Sequence, residues 1–335
     1  MSAYLKLSRD EAAARLLTLK NPLIVIHTRP DGDAIGSAAA LWHFFKSLGE
    51  EPVLCAQDKL PDRLAFLTEG IAVAEPATLP ESFGDVLTVD VASKAQLGAL
   101  ADALTGEYAP ALQIDHHERG ECMADSLIEP DTSAAGEVVF YLLTLLEAEG
   151  KCPTLSLPLL SCLYASIASD TGGFRFANTT PATHRVAAIL LERGVDAPEI
   201  NRRLFASRTE NDLRAEALIL KSLQIETGGY IAHVSISLKE RESSSLPEEC
   251  FETAVDIARS LAGVRIAASL KEIALGKFKV SLRANTANVA EVAATFGGGG
   301  HKLAAGCTVE GKDAASVWAK ILPYLQKALS DDKNS

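Results

Sequence analysis

Residues 24–37 read IVIHTRPDGDAIGS, which predicts a short buried strand that runs into a loop with three potential metal ligands. The apolar, β-branched run 23–26 predicts the strand, and the proline and glycine that follow end it. His27, Asp31 and Asp33 then lie at the carboxyl end of the strand, where ligands bind in open α/β sheets. Two carboxylates so close together repel each other unless a cation neutralises them. For this segment alone, an ordinary Asp-Gly-Asp surface turn is the alternative.

Outward from this stretch, predicted strands and helices alternate through the first part of the chain. Strands are predicted over 23–26, 52–56, 85–90 and 111–114, and helices over 8–20, 36–49, 61–67 and 94–103. This alternation is typical of the α/β class and predicts a doubly wound, mainly parallel sheet. Helices dominate from residue 134 to about 223. Strands then return, which predicts a smaller α+β C-terminal domain.

The chain of 335 residues is long enough for two domains with full cores. We expect a metal-binding catalytic domain over residues 1–190, a helical linker over 191–220 and a substrate-binding domain over 221–330. We expect the active site in the cleft between the two domains.

The composition restricts the partners and the cellular compartment. A formal net charge of −12 argues against a protein that tracks long nucleic acid, while short RNA oligonucleotides and small nucleotides stay compatible with it. No apolar run approaches membrane-spanning length, and the N-terminus lacks a signal-peptide core, so we expect no membrane contact. The six cysteines form no C-x-x-C pair, which favours reduced thiols and a cytoplasmic protein.

More acidic and imidazole side chains follow other predicted elements. Asp90 ends the third strand, the fourth runs into Asp115-His116-His117, and Asp170 follows a helix. Each alone could be a helix cap, a turn residue or a structural histidine. Together they converge on one sheet edge, and oxygen and imidazole ligands without thiolate favour Mn²⁺, Mg²⁺ or Fe²⁺ over a structural zinc. The number of carboxylates favours two divalent ions, which can share a water for attack at phosphorus.

These motifs, in this order, resemble the DHH phosphoesterase family. The resemblance rests on His-x-x-x-Asp-x-Asp from His27, the strand-terminal Asp90, Asp115-His116-His117 and Ser169-Asp170-Thr171-Gly172-Gly173-Phe174. It implies that one metal ion is held by His27, Asp31 and Asp90, and a second by Asp33, Asp90, His116 and Asp170. It also implies a catalytic group made of the bridging Asp90, the supporting Asp115, and His117 near the reacting phosphate.

A glycine-rich segment near the C-terminus, residues 296–306, reads FGGGGHKLAAG. Consecutive glycines let backbone amides approach a phosphate closely, although a flexible linker is the alternative. Arg283, on the preceding strand, can bind a phosphate through two nitrogens. The segment resembles the substrate loop of the DHH-associated C-terminal domain, and no Walker loop is present. The resemblance implies that the substrate-binding residues are Arg283, Gly298, Gly299, Gly300 and His301.

The combination of motifs is most similar to the short two-domain members of this family. The resemblance implies manganese-dependent hydrolysis of di- to pentanucleotides to nucleoside 5′-monophosphates, removal of the 3′-phosphate from 3′-phosphoadenosine 5′-phosphate, and a homodimer as one arrangement. One alternative is a phosphodiesterase for cyclic di-AMP or its linear product pApA. Another is a regulator that binds a nucleotide without catalysis, although the complete set of metal ligands argues against it.

Overall fold

The structure, a computed structural model, describes residues 4–79, 83–118 and 120–333. The chain forms two compact units, of which the first ends at Ser207 and the second begins at Arg208. The division falls inside 191–220, the range for which the sequence predicts a linker. Ile200 and Leu204 pack into the core of the first unit, and Ile219 packs into a core of the second. The residues on either side of the division are therefore parts of the two units.

The first unit is built on a six-stranded sheet, which confirms the predicted doubly wound parallel sheet. Its strands are β1 (Leu23–Val25), β2 (Val53–Cys55), β3 (Val73–Ala74), β4 (Val86–Val89), β5 (Pro110–Asp115) and β6 (Ser126–Ile128). They lie in the order β3-β2-β1-β4-β5-β6, and all neighbours are parallel. The strand order reverses between β1 and β4, and ligands bind at such a switch point. β3 and β6 were not predicted.

The helices of the first unit are α1 (Arg9–Leu16), α2 (Gly32–Ser47), α3 (Leu100–Ala103), α4 (Ala135–Ala148), α5 (Leu157–Asp170), α6 (Pro181–Glu192) and α7 (Ala197–Asn201). The apolar faces of α2, α4 and α5 share one buried core with β1, β4 and β5. A Cβ atom on Gly36 would lie 2.7 Å from the carbonyl oxygen of Cys162 in α5. The missing side chain therefore lets the backbones of α2 and α5 approach closely.

Three predicted helices differ from the structure in type or in starting residue. The helix predicted over 61–67 is a 3₁₀ helix, Asp62–Thr68. α2 begins at Gly32 and not at residue 36, because Asp31 caps its first turn. The helix predicted over 94–103 is a 3₁₀ turn, Lys94–Leu97, followed by the short α3. Gly98 separates the two with a φ of +58°, a left-handed conformation that ends a helix.

The second unit contains a mainly antiparallel six-stranded sheet, in agreement with the predicted α+β class. Its strands are β7 (Gln224–Glu226), β8 (Ile231–Ile236), β9 (Ile266–Ala274), β10 (Lys277–Ala284), β11 (Gly299–His301) and β12 (Ala304–Glu310), in the order β11-β12-β10-β9-β8-β7. Its helices are α8 (Glu210–Lys221), α9 (Leu238–Ser244), α10 (Ala254–Arg259), α11 (Val289–Thr295) and α12 (Ala314–Lys333). One core packs the sheet against α11 and α12, and another packs it against α8 and α10.

Within the described residues, none of the helices combines the length and the apolar character that crossing a membrane requires.

Candidate metal centre

His27 follows β1, and its ring orientation is fixed by its own loop. Nδ1 lies 2.7 Å from the carbonyl oxygen of Thr28, and because a carbonyl only accepts, Nδ1 is the protonated nitrogen. Nε2 is then left for other partners. It lies 3.5 Å from Oδ2 of Asp90 and 3.8 Å from Oδ1 of Asp31. These three side chains form one cluster with the geometry to hold a cation.

Asp90 is the residue on which the site converges. It directly follows β4 in a left-handed conformation, with a φ of +57°, and its side chain is buried. Non-glycine residues held in this region cost free energy and cluster at functional sites. Oδ1 has no hydrogen-bond partner among the residues that the structure describes, and it lies 3.7 Å from Nε2 of His116 and 3.6 Å from Nδ1 of His117. A buried carboxylate oxygen without a donor fits a position where a cation binds.

A second cluster contains Asp33, His116 and Asp170. Nε2 of His116 lies 3.5 Å from Oδ2 of Asp33 and 3.8 Å from Oδ2 of Asp170. Asp33 belongs to the first turn of α2 and not to the loop before it, because Asp31 accepts the backbone amides of Asp33 and Ala34 at 3.0 and 3.1 Å. The helix therefore directs Asp33 into the buried core, where it is 1% exposed.

Besides its place in α2, Asp33 caps the N-terminus of α4. The first residue before α4 is an alanine, which offers no capping side chain. Instead, Oδ2 of Asp33 accepts the amide of Ala135 at 2.8 Å, and Oδ1 accepts the amide of Gly136 at 3.1 Å. Oδ1 also accepts the hydroxyl of Ser166 at 2.5 Å, while the hydroxyl of Ser37 lies 3.0 Å from Oδ1 and 2.7 Å from the carbonyl oxygen of Asp33. Oδ1 is thus saturated with donors, so Oδ2 is the oxygen that can bind a cation.

Burial and mutual repulsion raise the pKa values of two carboxylates of the site. Burial raises the pKa of Asp90 well above its ordinary value, and repulsion from Asp33 and Asp31 adds to the rise. Burial, followed by repulsion from the same two residues, raises the pKa of Asp170 to about 8. Burial alone would lower the pKa of His27, but its interactions with the carboxylates of Asp31 and Asp90 raise it to about 11. These carboxylates cannot easily be ionised at the same time, and a bound divalent cation would stabilise their ionised forms.

Asp115 and His117 form a pair beside these clusters. Asp115 is fully buried, and its Oδ1 accepts the backbone amide of His116 at 2.8 Å and lies 2.8 Å from Nδ1 of His117. The hydrogen bond to Asp115 is the largest cause that raises the pKa of His117 to about 9. The side chain of His117 is 39% exposed. His117 is therefore oriented by a buried carboxylate and remains accessible to a ligand.

The glycine-rich segment of the second unit is more regular than the predicted loop. Gly299–His301 forms β11, which pairs with β12, so the segment is a tight hairpin. Gly300 has a φ of +142°, and a Cβ atom there would lie 2.5 Å from the carbonyl oxygen of Ala304. In contrast, a Cβ atom on Gly299 would meet nothing within 4 Å. Gly300 is thus required by the hairpin, while Gly299 leaves open space above its backbone.

Arg283 and His301 share one face of this sheet. Both pair with Ala304 of β12, Arg283 from β10 on one side and His301 from β11 on the other. Residues directly opposite in antiparallel strands point to the same face, and the two residues are two strand spacings apart, about 10 Å. Arg283 is partly buried and donates from Nη1 to the carbonyl oxygen of Leu282 at 3.0 Å. Within the described residues, the other guanidinium nitrogens make no hydrogen bond or ion pair.

The match to known proteins follows the same two units. Residues 21–167 match the DHH family, N-terminal domain, and residues 243–329 match the DHHA1 domain. The chain is 30% identical over 319 residues to the bifunctional oligoribonuclease and PAP phosphatase NrnA of Thermus thermophilus, covering 94% of this chain and 92% of the relative. This chain belongs to the DHH family. DHH phosphoesterases are metal-dependent hydrolases, and this member has acidic and histidine clusters that can bind metal.

Other relatives extend the similarity along the chain. The protein of the same name from Bacillus subtilis is 25% identical over 303 residues, covering 90% of this DHH family member and 93% of the relative. The crystal structure of an exopolyphosphatase-related protein from Bacteroides fragilis aligns with a TM-score of 0.84 at 23% identity, covering 96% of this chain and 95% of that one. This structural similarity concerns the fold.

Several residues around the DHH family site were not recognised from the sequence. Asn178 donates from Nδ2 to Oδ2 of Asp170 at 3.1 Å and to the carbonyl oxygen of Ser133 at 2.9 Å. Nδ1 of His116 lies 3.5 Å from the carbonyl oxygen of Thr132. A polar residue a few positions after Asp170 is a weak signal for Asn178. The Thr132 contact uses a backbone carbonyl, for which the sequence carries no signal.

Proposed function

We propose that this DHH family member is a two-metal phosphoesterase that hydrolyses oligoribonucleotides of two to five residues to nucleoside 5′-monophosphates. We include removal of the 3′-phosphate from 3′-phosphoadenosine 5′-phosphate. The observation that carries the proposal is the position of Asp90, whose two carboxylate oxygens face different clusters: Oδ2 faces His27, and the unpartnered Oδ1 faces His116. The substrates are supported by full-length relatives named oligoribonuclease and PAP phosphatase.

Two divalent ions, which we propose to be Mn²⁺, are the cofactors. One would be held by His27, Asp31 and Asp90, and the other by Asp33, Asp90, His116 and Asp170. Ions bound by these residues would supply Lewis-acid activation of a water and neutralise charge that develops at phosphorus. The donor set supports this choice, because each cluster combines carboxylate oxygen with imidazole and contains no thiolate.

The chain's own residues orient the reaction. Asp115 holds Nδ1 of His117, so Nε2 is the ring nitrogen available to a substrate oxygen. We assign His117 to hydrogen bonding with the reacting phosphate, and Asp115 to positioning the ring. Asp90 contributes catalysis by placing both clusters within reach of one phosphorus atom.

Substrate binding is assigned to the β10 and β11 face of the second unit. Arg283 would contact a phosphate, and the amides of Gly299 and Gly300 with the imidazole of His301 would contact the terminal nucleotide. The amide of Gly298 already donates to the carbonyl oxygen of Ala293 at 2.9 Å, so Gly298 would contribute by letting the backbone turn. The open space above Gly299 supports close approach of a ligand. The net charge of −12 supports a short substrate, because long RNA binding depends on many neutralised phosphates.

The six cysteines are free thiols, which supports a reducing compartment, and we propose the cytoplasm as the place of action.

The deciding experiment compares Mn²⁺-dependent hydrolysis of pApA, a 5-mer RNA, a 24-mer RNA, cyclic di-AMP and 3′-phosphoadenosine 5′-phosphate, with chromatographic identification of products. We expect the two short RNAs to be converted to mononucleotides much faster than the 24-mer. Cyclic di-AMP as the best substrate would replace the proposal with a signalling phosphodiesterase. Tight nucleotide binding without turnover would replace it with a regulator.

A further inference from the structure

One short segment, residues 132–136, contacts the ligands of the second cluster from behind. The carbonyl oxygen of Thr132 lies 3.5 Å from Nδ1 of His116. The amides of Ala135 and Gly136 donate to Asp33. The carbonyl oxygen of Ser133 accepts Nδ2 of Asn178, which also bonds Asp170. Three ligands from distant parts of the chain therefore depend on the position of one backbone segment at the start of α4.

A buried carboxylate holds this segment in place. Glu137 is 1% exposed, and its Oε2 accepts the amide and the hydroxyl of Ser133 at 3.1 and 2.6 Å. The same oxygen accepts the hydroxyl of Thr183 in α6 at 3.0 Å, and Oε1 accepts the hydroxyl of Tyr141 at 2.9 Å. Each of these four groups donates to the carboxylate. A buried charge needs such a complete set of donors, which makes the arrangement rigid.

We propose that Glu137 is a positioning residue for the metal centre, acting through the backbone of residues 132–136 on Asp33, His116 and Asp170. The inference rests on the proposed function, because it concerns the second of the two metal clusters. Glu137 touches none of the three ligands itself. Its contribution is to fix the angle at which α4 begins, and hence the position of the amides that orient Asp33. Residues that orient metal ligands commonly contribute a factor of about 10 to 100 in metal affinity.

The alternative is that Glu137 only stabilises the helix pair α4 and α6. A matched residue separates the two explanations. Glu147 lies on the same helix, ten residues later, about 15 Å along its axis. Its carboxylate accepts both terminal nitrogens of Arg193 and the amide of Leu155, each at 2.7 Å. It therefore makes a comparable set of hydrogen bonds to neighbouring elements, but it lies far from residues 132–136.

The test is a Mn²⁺ titration, followed by the electron paramagnetic resonance signal of the free ion, on the full chain without substrate. Thermal unfolding of the same samples reports stability. We compare the wild type with Glu137→Met, Glu137→Gln and Glu147→Met. Methionine keeps the length of the side chain and removes both acceptors. Glutamine keeps one acceptor oxygen for Ser133 and Thr183, while the hydroxyl of Tyr141 can rotate to accept from its amide.

We expect Glu137→Met to weaken one of the two Mn²⁺ sites at least about tenfold and to leave the other within about twofold. Glu137→Gln should restore most of the affinity, and Glu147→Met should lower Tm without changing Mn²⁺ binding. Wild-type Mn²⁺ binding in folded Glu137→Met would overturn the proposal. Equal weakening in Glu147→Met would overturn it too, because stability alone would then explain the loss.

If Glu137→Met does not fold, Ser133→Ala replaces it, since it removes the hydroxyl donor and keeps the backbone donor. Weakening of one Mn²⁺ site by about threefold would support the proposal, and unchanged affinity would overturn it. Turnover of pApA by the wild type is measured alongside. A wild type that binds Mn²⁺ without turnover would sink the proposed function, while the titrations would still decide the role of Glu137.

Discussion

Nδ1 of His117 lies 2.8 Å from Oδ1 of the fully buried Asp115, and this contact fixes the orientation of an otherwise accessible imidazole. Asp115→Asn keeps the shape but removes the charge that holds the ring. We expect kcat for pApA to fall about 10- to 100-fold with a smaller change in KM, as is usual when an orienting partner is lost. Steady-state kinetics measures both constants.

The matched control for Asp115 is Asp125→Asn, because Asp125 accepts only a backbone amide, that of Leu5, at 3.0 Å in the described part of the chain. Its kinetics should equal those of the wild type. A kcat within twofold of wild type for Asp115→Asn would contradict the orienting role.

Asp90→Asn is expected to abolish Mn²⁺-dependent turnover, because Asp90 is assigned to both clusters. The metal-free protein should at the same time gain thermal stability. The substitution removes an acid whose ionisation is opposed by burial and by repulsion from Asp33 and Asp31, and asparagine tolerates the left-handed conformation at this position. Scanning calorimetry with and without Mn²⁺ measures this, and the variant should lose the Mn²⁺-induced rise in Tm. Turnover near the wild-type rate would rule out a bridging Asp90.

Arg283→Ala should raise KM for pApA and leave kcat within a few-fold, since the guanidinium is assigned to ground-state binding. Lys279→Ala is the control. This substitution removes a charge of the same sign from the same face of β10, four residues before Arg283. Lys279 forms an ion pair with Glu252 at 3.5 Å. We expect wild-type KM for Lys279→Ala. A change confined to kcat in Arg283→Ala would place this residue at the reacting group instead.

The neighbouring glycines of β11 should respond differently to alanine. Gly299→Ala adds a methyl group that meets no protein atom, so we expect unchanged Tm and a raised KM if the substrate approaches this backbone. Gly300→Ala introduces a clash with Ala304 at a positive φ, so we expect a lower Tm. Thermal unfolding and KM for both variants test this. Unchanged KM in Gly299→Ala would remove the segment from the substrate site.

We expect the second unit to lose stability in acid because of His233. It is buried in β8 and stacks on Trp318 with ring centroids 3.8 Å apart. Burial lowers its folded-state pKa to about 4, below the ordinary value of about 6.5. The neutral ring therefore stabilises the fold above pH 6.5, and this stability is lost as the pH falls towards 4, by about 3 kcal/mol at most.

His233→Phe keeps the stacked ring and removes the titration. Its Tm should run parallel to that of the wild type between pH 7 and 8 and exceed it increasingly between pH 6.5 and 4. A constant difference over the whole range would show that His233 does not titrate with unfolding.

Half of the proposed metal ligands follow strands, and this is why the sequence could bring them together at one edge. His27 follows β1, Asp90 follows β4, and Asp115-His116-His117 end or follow β5. Strands with short apolar runs and clear ends can be recognised locally, and parallel strands bring their carboxyl ends to one edge. The chemistry of this edge was therefore readable from the order of residues in the chain.

The support of those ligands was not predictable in the same way. Asp33 caps a helix that begins 102 residues later, and nothing local to Asp33 indicates that partner. The edge strand β3 has two residues, too few for a period-2 pattern. β11 is made of two glycines and a histidine, a composition that disfavours strands, and it forms only because β12 lies beside it. Each of these features depends on contacts made in three dimensions.

The capping of α4 by Asp33 also has a consequence during protein synthesis. Asp33 leaves the ribosome long before the amides of Ala135 and Gly136 exist, and Asp170 follows later still. A nascent chain that ends before Asp170 has only some of the proposed metal ligands. One that ends before Ala135 also leaves the carboxylate of Asp33 without the amides of α4. The second cluster can therefore be complete only after α5 has been synthesised, because Asp170 ends that helix.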